Sequence, residues 1–229
     1  MAATLRKDNK YHVNGIVDIG LAQQYVSALS FGEDTYLAFR NSGSSIITIS
    51  NSALYEMFED LSKGKTEKMG FLLGNSYGNS AFFTRYEAVN WIRRDKGSIS
   101  YRKKDYLGYL RKARSLGFDA QADIHNHTYE NLYKLDIQDE ERTLPIGNLL
   151  RHGLFPSLER SSGFTKYDIH DSRKKHSLLR KMDIFSHSFS GVFERFSLGG
   201  NNTKIMLFRI ASGPRMENHH GIKITNLSE

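Results

Sequence analysis

Ile46–Gly74 reads IITISNSALYEMFEDLSKGKTEKMGFLLG. Ile46-Ile47-Thr48-Ile49 is β-branched throughout and predicts a strand. Ser50-Asn51-Ser52 then offers helix caps, and Leu54, Met57, Phe58 and Leu61 recur at helical spacing. An amphipathic helix is therefore expected, closed by Gly64. The apolar run Met69–Gly74 predicts a second strand, with one acid, Glu67, at its mouth.

The pattern extends in both directions. Ala81–Val89 alternates loosely and reads as the partner strand. Ser100–Leu116 predicts a basic amphipathic helix with Tyr106, Leu107, Leu110 and Ala113 on one face, ended by Gly117 with Phe118 beyond it. Gln121–His125 reads as a strand running into His-Asn-His-Thr. A short helix is expected within Asp139–Leu150, followed by a loop-rich stretch to about residue 180. Gly191–Leu198 and Thr203–Ile210 flank Gly199-Gly200-Asn201-Asn202 as a hairpin. Upstream, Leu21–Leu29 reads as a short helix and Thr35–Phe39 as a strand. This order predicts a mixed α/β domain of the α+β kind over residues 45–212. Residues 1–44 read as an N-terminal extension and 213–229 as a polar C-terminal tail.

Composition narrows the functional classes. The 229 residues are 39% hydrophobic and 25% charged with 3 Pro, which argues against bulk disorder. No apolar run approaches the roughly 18 residues of a membrane span, and the first residues lack an apolar leader segment, so a cytoplasmic chain without a membrane partner is expected. The absence of Cys excludes disulfides, iron–sulfur clusters, thiolate zinc and a Cys nucleophile. Any metal site must then be built from carboxylates and the 9 His. A net charge of +7 admits a nucleic-acid partner. The basic residues are spread along the chain, however, densest at Ser172–Lys181 and from Tyr101–Lys104 into Arg111–Arg114. No zinc-finger, RRM-like or helix-turn-helix signature accompanies them, so these runs read as solvated helix faces.

His125-Asn126-His127 closes a predicted strand. Residues i and i+2 of extended backbone project to one side, so both imidazoles can reach one ion. Two imidazoles and a carboxylate make a zinc site with an open position for water, and Asp136 or Asp139, a short loop downstream, can supply the carboxylate. Two other His motifs carry less. In Ser186-His187-Ser188, adjacent strand residues point to opposite faces, and His219-His220 reads as solvated in the polar tail.

The order strand, helix, Glu67-x-Met69-Gly70-x-Leu72-Leu73-Gly74, strand, helix, strand, His125-x-His127, then Asp136-x-x-Asp139 resembles the JAMM/MPN family of zinc metalloproteases, which includes deubiquitinating isopeptidases. The resemblance spans about Ile46 to Ile210. It implies a central curved sheet flanked by helices, Zn2+ held by His125, His127 and Asp139, and Glu67 as the proton acceptor for the attacking water. Asp136 stands where the family has the Ser of its Ser-x-x-Asp element, a catalytic position that assists the oxyanion. Thr128 replaces the usual Pro, and the spacing from His127 to Asp139 is one residue longer than usual. The implied activity is hydrolysis of peptide or isopeptide bonds in a protein or peptide substrate, with ubiquitin-like conjugates the family-based expectation. Arg142–Lys181 reads as a specificity insertion. The alternatives are an inactive scaffold of the same fold and, less favoured, a basic nucleic-acid-binding module.

Overall fold

The computed structural model describes residues 16–21, 24–31, 35–40, 45–63, 66–90, 93–95, 98–133, 164–182, 185, 187–198 and 204–225. Among these, the chain is mixed α+β and mostly strand. The quoted stretch folds as expected. β4 (Ile46–Ser50) runs into α1 (Asn51–Leu61), whose cap Ser50 accepts a hydrogen bond from the Ala53 N–H at 3.2 Å. Ala53, Leu54, Met57, Phe58 and Leu61 form the buried stripe. Gly64 lies outside the described residues, as does the whole of Asp139–Leu150.

β5 (Met69–Tyr77) pairs antiparallel with β6 (Ser80–Ala88) on one side and with β9 (Ala120–Tyr133) on the other. β7 (Arg93–Asp95) and β8 (Ser98–Ser100) form a separate small ribbon. α2 (Lys103–Ser115) ends in the expected glycine cap: Gly117 has φ 94°, its N–H donates to Arg114 O, and Phe118 N–H reaches back to Ala113 O. α3 (Lys166–Met182) leads to β10 (His187–Leu198), which pairs antiparallel with β11 (Lys204–Ser212) as the expected closing pair.

Three segments differ from the sequence reading. Leu21–Leu29 is not helical: β1 (Ile16–Leu21) and β2 (Gln24–Ser30) pair antiparallel, and β2 joins β3 (Thr35–Arg40). Such a short segment is a marginal helix alone. Pairing with β3 instead sets Leu29, 1% exposed, beside Leu37 in the core. The residues read as an N-terminal extension thus continue the main sheet. The segment read as a polar tail also joins it, through β12 (Asn218–His219) against β11 and β13 (Gly221–Thr225) parallel to β4. His220 is buried rather than solvated. Its ring bridges Ser45 Oγ at 2.5 Å and Ser212 Oγ at 2.8 Å, and burial together with His219 pulls its pKa down to about 4. The third segment, α3, replaces the expected loop.

The sheet order is β1-β2-β3-β11-β10-β9-β5-β6-β4-β13, with β12 on β11. β9 sits between β5 and β10 and is parallel to β10, a pairing that requires a crossover; α3 lies in that crossover. Alternation along the strands sorts the core into two layers. Leu72, Ala122 and Ile124 pack with α1, while Met69, Phe71 and Leu73 pack with α2 and Leu179 of α3. No described helix is long and apolar enough to cross a membrane.

Gly74 has a definite packing reason. The β5–β6 register shifts between Leu73 and Gly74, and a Cβ at residue 74 would stand 1.8 Å from the Phe82 carbonyl oxygen. Backbone cannot yield as a side chain can. Gly74→Ala should therefore cost about 1–3 kcal/mol, lowering Tm by about 2–12 °C. A thermal melt unchanged from wild type would contradict this account of the bulge.

Candidate metal centre

β9 carries Asp123, His125 and His127 on the face that α3 covers. In regular strand, Cα atoms two residues apart stand about 6.6 Å apart, farther than two ligands of one ion. The β9–β10 register breaks here: Phe193 faces Asn126, yet Arg195 faces Glu130. An irregularity of this kind re-aims side chains. The two Nε2 atoms come within 3.3 Å of each other, with rings tilted by 57°.

The third group is Asp168, in the first turn of α3. Its Oδ1 lies 3.0 Å from His125 Nε2 and its Oδ2 3.4 Å from His127 Nε2. Four donors at about 2.0–2.1 Å around a tetrahedral ion stand about 3.3–3.4 Å apart. The 3.0 and 3.4 Å contacts run to different Asp168 oxygens, and with 3.3 Å between the two imidazole nitrogens they bring one donor atom from each of the three residues within reach of a single ion. Two imidazoles and a carboxylate therefore form a group that could hold a metal ion.

Local chemistry holds Asp168 in place. Asp168 Oδ2 accepts from Thr165 N–H at 2.6 Å, and Thr165 Oγ1 accepts from Asp168 N–H at 3.3 Å, a reciprocal cap at the start of the helix. Burial would raise the Asp168 carboxyl. Hydrogen bonds from both imidazoles and from Thr165 N–H instead hold it well below the usual carboxylate range.

Glu67 stands two residues before β5. Lys68 N–H donates to Asn126 Oδ1 at 2.6 Å, and Asn126 N–H donates to Lys68 O at 3.2 Å. Lys68 Nζ also bonds Asp60 of α1. The residue between the two histidines thus staples the mouth of β5 to β9. Glu67 is only 7% exposed and feels the charges of His125, His127 and Asp168. Burial raises its carboxyl above the ordinary value; the imidazoles oppose that rise and Asp168 adds to it.

Behind the cluster lies a second charged group. Lys175, two helical turns after Asp168, is 8% exposed and places Nζ 2.6 Å from Asp123 Oδ2 and 2.8 Å from Asp171. Ser190 donates to Asp123 at 3.2 Å, Tyr101 donates to Asp171, and the ammonium sits 5.4 Å from the Tyr101 ring. Burial alone would lower the Lys175 pKa, but Asp123, Tyr101 and Asp171 hold it well above the ordinary value.

The structure therefore brings together Glu67, His125 and His127 of the sequence-derived set. Asp136 and Asp139 lie outside the described residues. Asp168 was missed because it follows His127 by 41 positions and heads a helix read as loop. The available signal was Thr165-x-x-Asp168, a helix-start pattern.

No family model matches this chain, and no curated protein matches it. Among solved structures, the chain is similar to the solution structure of protein DSY2949 from Desulfitobacterium hafniense. Identity is 10% and the TM-score 0.39, with 79% of this chain and 93% of that one covered. At that TM-score the likeness bears on neither fold nor function.

Removing Lys175 alone leaves Asp123 buried and unpaired, which costs about 3–5 kcal/mol, or a Tm lower by about 6–20 °C. Lys175→Met should fall in that range, and Asp123→Asn with Lys175→Met should recover more than half of the loss. A single variant within about 1 kcal/mol of wild type would show the pair to be solvated.

Proposed function

We propose that this chain is a zinc-dependent hydrolase of peptide or isopeptide bonds, with His125, His127 and Asp168 as the metal ligands and Glu67 as the proton acceptor. The observation that carries the reading is the convergence of two imidazoles and a carboxylate, each with a ligand atom within 4.8 Å of the others, beside a buried carboxylate with a raised pKa. Zinc bound there would supply Lewis acidity, polarising a carbonyl and lowering the pKa of water from about 15.7 towards about 7. Glu67 takes the proton of the attacking water and returns it to the leaving amine. A raised pKa suits both halves of that task, because a carboxylate of ordinary acidity is a weak base near neutrality. His125, His127 and Asp168 would hold the ion.

The JAMM/MPN resemblance supports this reading when its closing element is moved from Asp136-x-x-Asp139 to Thr165-x-x-Asp168. That assignment keeps a hydroxyl where the family has Ser, and it removes the need for an ionised Asp136 beside a developing oxyanion. A protein or peptide substrate, ubiquitin-like conjugates included, belongs to the same proposal.

Glu67→Gln tests the chemistry and has a second readout. The variant should retain metal and lose hydrolysis of isopeptide-linked conjugates by a factor of about 100 or more. Its stability should change in a defined direction. Glu67 has a higher pKa folded than unfolded, so its contribution is fully present below the unfolded value and is lost as pH rises through the folded one. Metal-free Glu67→Gln should therefore melt above metal-free wild type at about pH 7.5, with the gap closing near pH 4. A metal-loaded variant that still turns over would overturn the assigned role, and a wild-type chain that binds zinc but cleaves no conjugate would favour the scaffold.

A further inference from the structure

The chain's positive charge is concentrated in two places. α2 carries five Lys and Arg against one Asp, and α3 six against two, a formal +8 where the whole chain holds +7. The other 199 residues hold 21 Lys and Arg against 22 Asp and Glu. Of the eleven cations on these helices only Lys175 is inside; the other ten are exposed. The three acids are half-buried and already engaged: Asp105 with Arg102, Asp168 with the histidines, Asp171 with Lys175. The helices are neighbours. Leu178 and Leu179 of α3 pack in one cluster with Tyr106, Leu107 and Leu110 of α2, and Tyr101 bonds across to Asp171. Both helices pack on the sheet face that carries Met69, Phe71 and Leu73, so their exposed cations lie on one side of the sheet.

We infer that the exposed α2–α3 face is a binding surface for single-stranded nucleic acid. A polyanion is what ten exposed cations without an exposed acid on either helix complement. A strand with exposed bases is favoured over an acidic polypeptide by Tyr167. It is 72% exposed in the first turn of α3, with Lys166 Nζ 5.2 Å from its ring centre. An exposed ring within a cationic surface is a platform on which a base stacks, a contact that acidic side chains do not use. Tyr167 adjoins the metal-group residue Asp168 in the chain, so the proposed surface lies on the same helix that carries the carboxylate of the candidate centre. This surface is independent of the zinc reading and can stand if that reading fails.

The test is fluorescence anisotropy on the full chain with labelled oligo(dT) and oligo(U) of about 20 nucleotides, longer than typical single-strand sites. EDTA is present throughout, so that metal bridging plays no part. The expected log affinity falls against log salt with a slope of about −3 or steeper. Reversing three outward cations together, Arg173→Glu, Lys174→Glu and Lys181→Glu, should weaken binding about tenfold or more. Tyr167→Ala alone should weaken it about fivefold or more. The same charge change at Lys63, Lys204 and Lys223, exposed outside the two helices, should alter affinity by less than about threefold. Binding of DNA and RNA alike supports the surface, as does a preference for either. Four results would overturn it: no binding at low salt, equal loss in both triple variants, an unchanged Tyr167→Ala, or tighter binding of polyglutamate than of either oligonucleotide.

Discussion

The buried contact between Lys175 and Asp123 sets where α3 lies on the sheet, and the candidate centre depends on that placement. Along a helix, seven residues from Asp168 to Lys175 span about 10.5 Å. Along a strand, Asp123 stands about 6.6 Å from His125 and about 13 Å from His127. Pinning Lys175 over Asp123 therefore brings Asp168 between the two histidines, where its oxygens meet one ring each. An apolar contact tolerates sliding along the helix. A charge pair at 2.6 Å, with Asp171, Tyr101 and Ser190 around it, tolerates little.

The same constraint explains what was legible in the sequence. α1, β5 and α2 announce themselves because their buried positions are apolar at regular spacing: Leu54, Met57 and Phe58, or Tyr106, Leu110 and Ala113. The buried side of α3 holds Ser172, Lys175 and half-buried Asp168 beside Leu179, so periodicity read for hydrophobes finds little. Those polar residues are inside because the strand beneath them is polar too, with Asp123, His125 and His127. Function and the loss of an apolar pattern have one cause. His-x-His was readable because its geometry is local. Its carboxylate partner was not, since it arrives through a crossover that only the parallel β9–β10 pairing makes necessary. At the ends of the chain the failure is different. Polar composition in 218–225 conceals two strands that find partners in β11 and β4, and pairing does not show in composition.

Charge is sorted about α3 rather than spread. Asp168 and Asp171 turn inward, toward His125, His127 and Lys175; burial raises Glu67 beside them and the two rings stabilise ionised Asp168. The cations, Lys175 apart, face water. Read linearly, the basic run Ser172–Lys181 looks uniform. In the structure it divides into one lysine that builds the interior and several cations that define a surface.

The account turns on Asp168 as the carboxylate that completes the metal group, and zinc content per chain tests that most directly. Mass spectrometry of purified wild type, Asp168→Ala, Asp136→Ala and Asp139→Ala after zinc supplementation should find about one zinc per chain in wild type and in both variants of the downstream loop, with zinc lost from Asp168→Ala. Zinc retained in Asp168→Ala but lost from Asp139→Ala or Asp136→Ala, or no zinc in the wild-type chain, would contradict it.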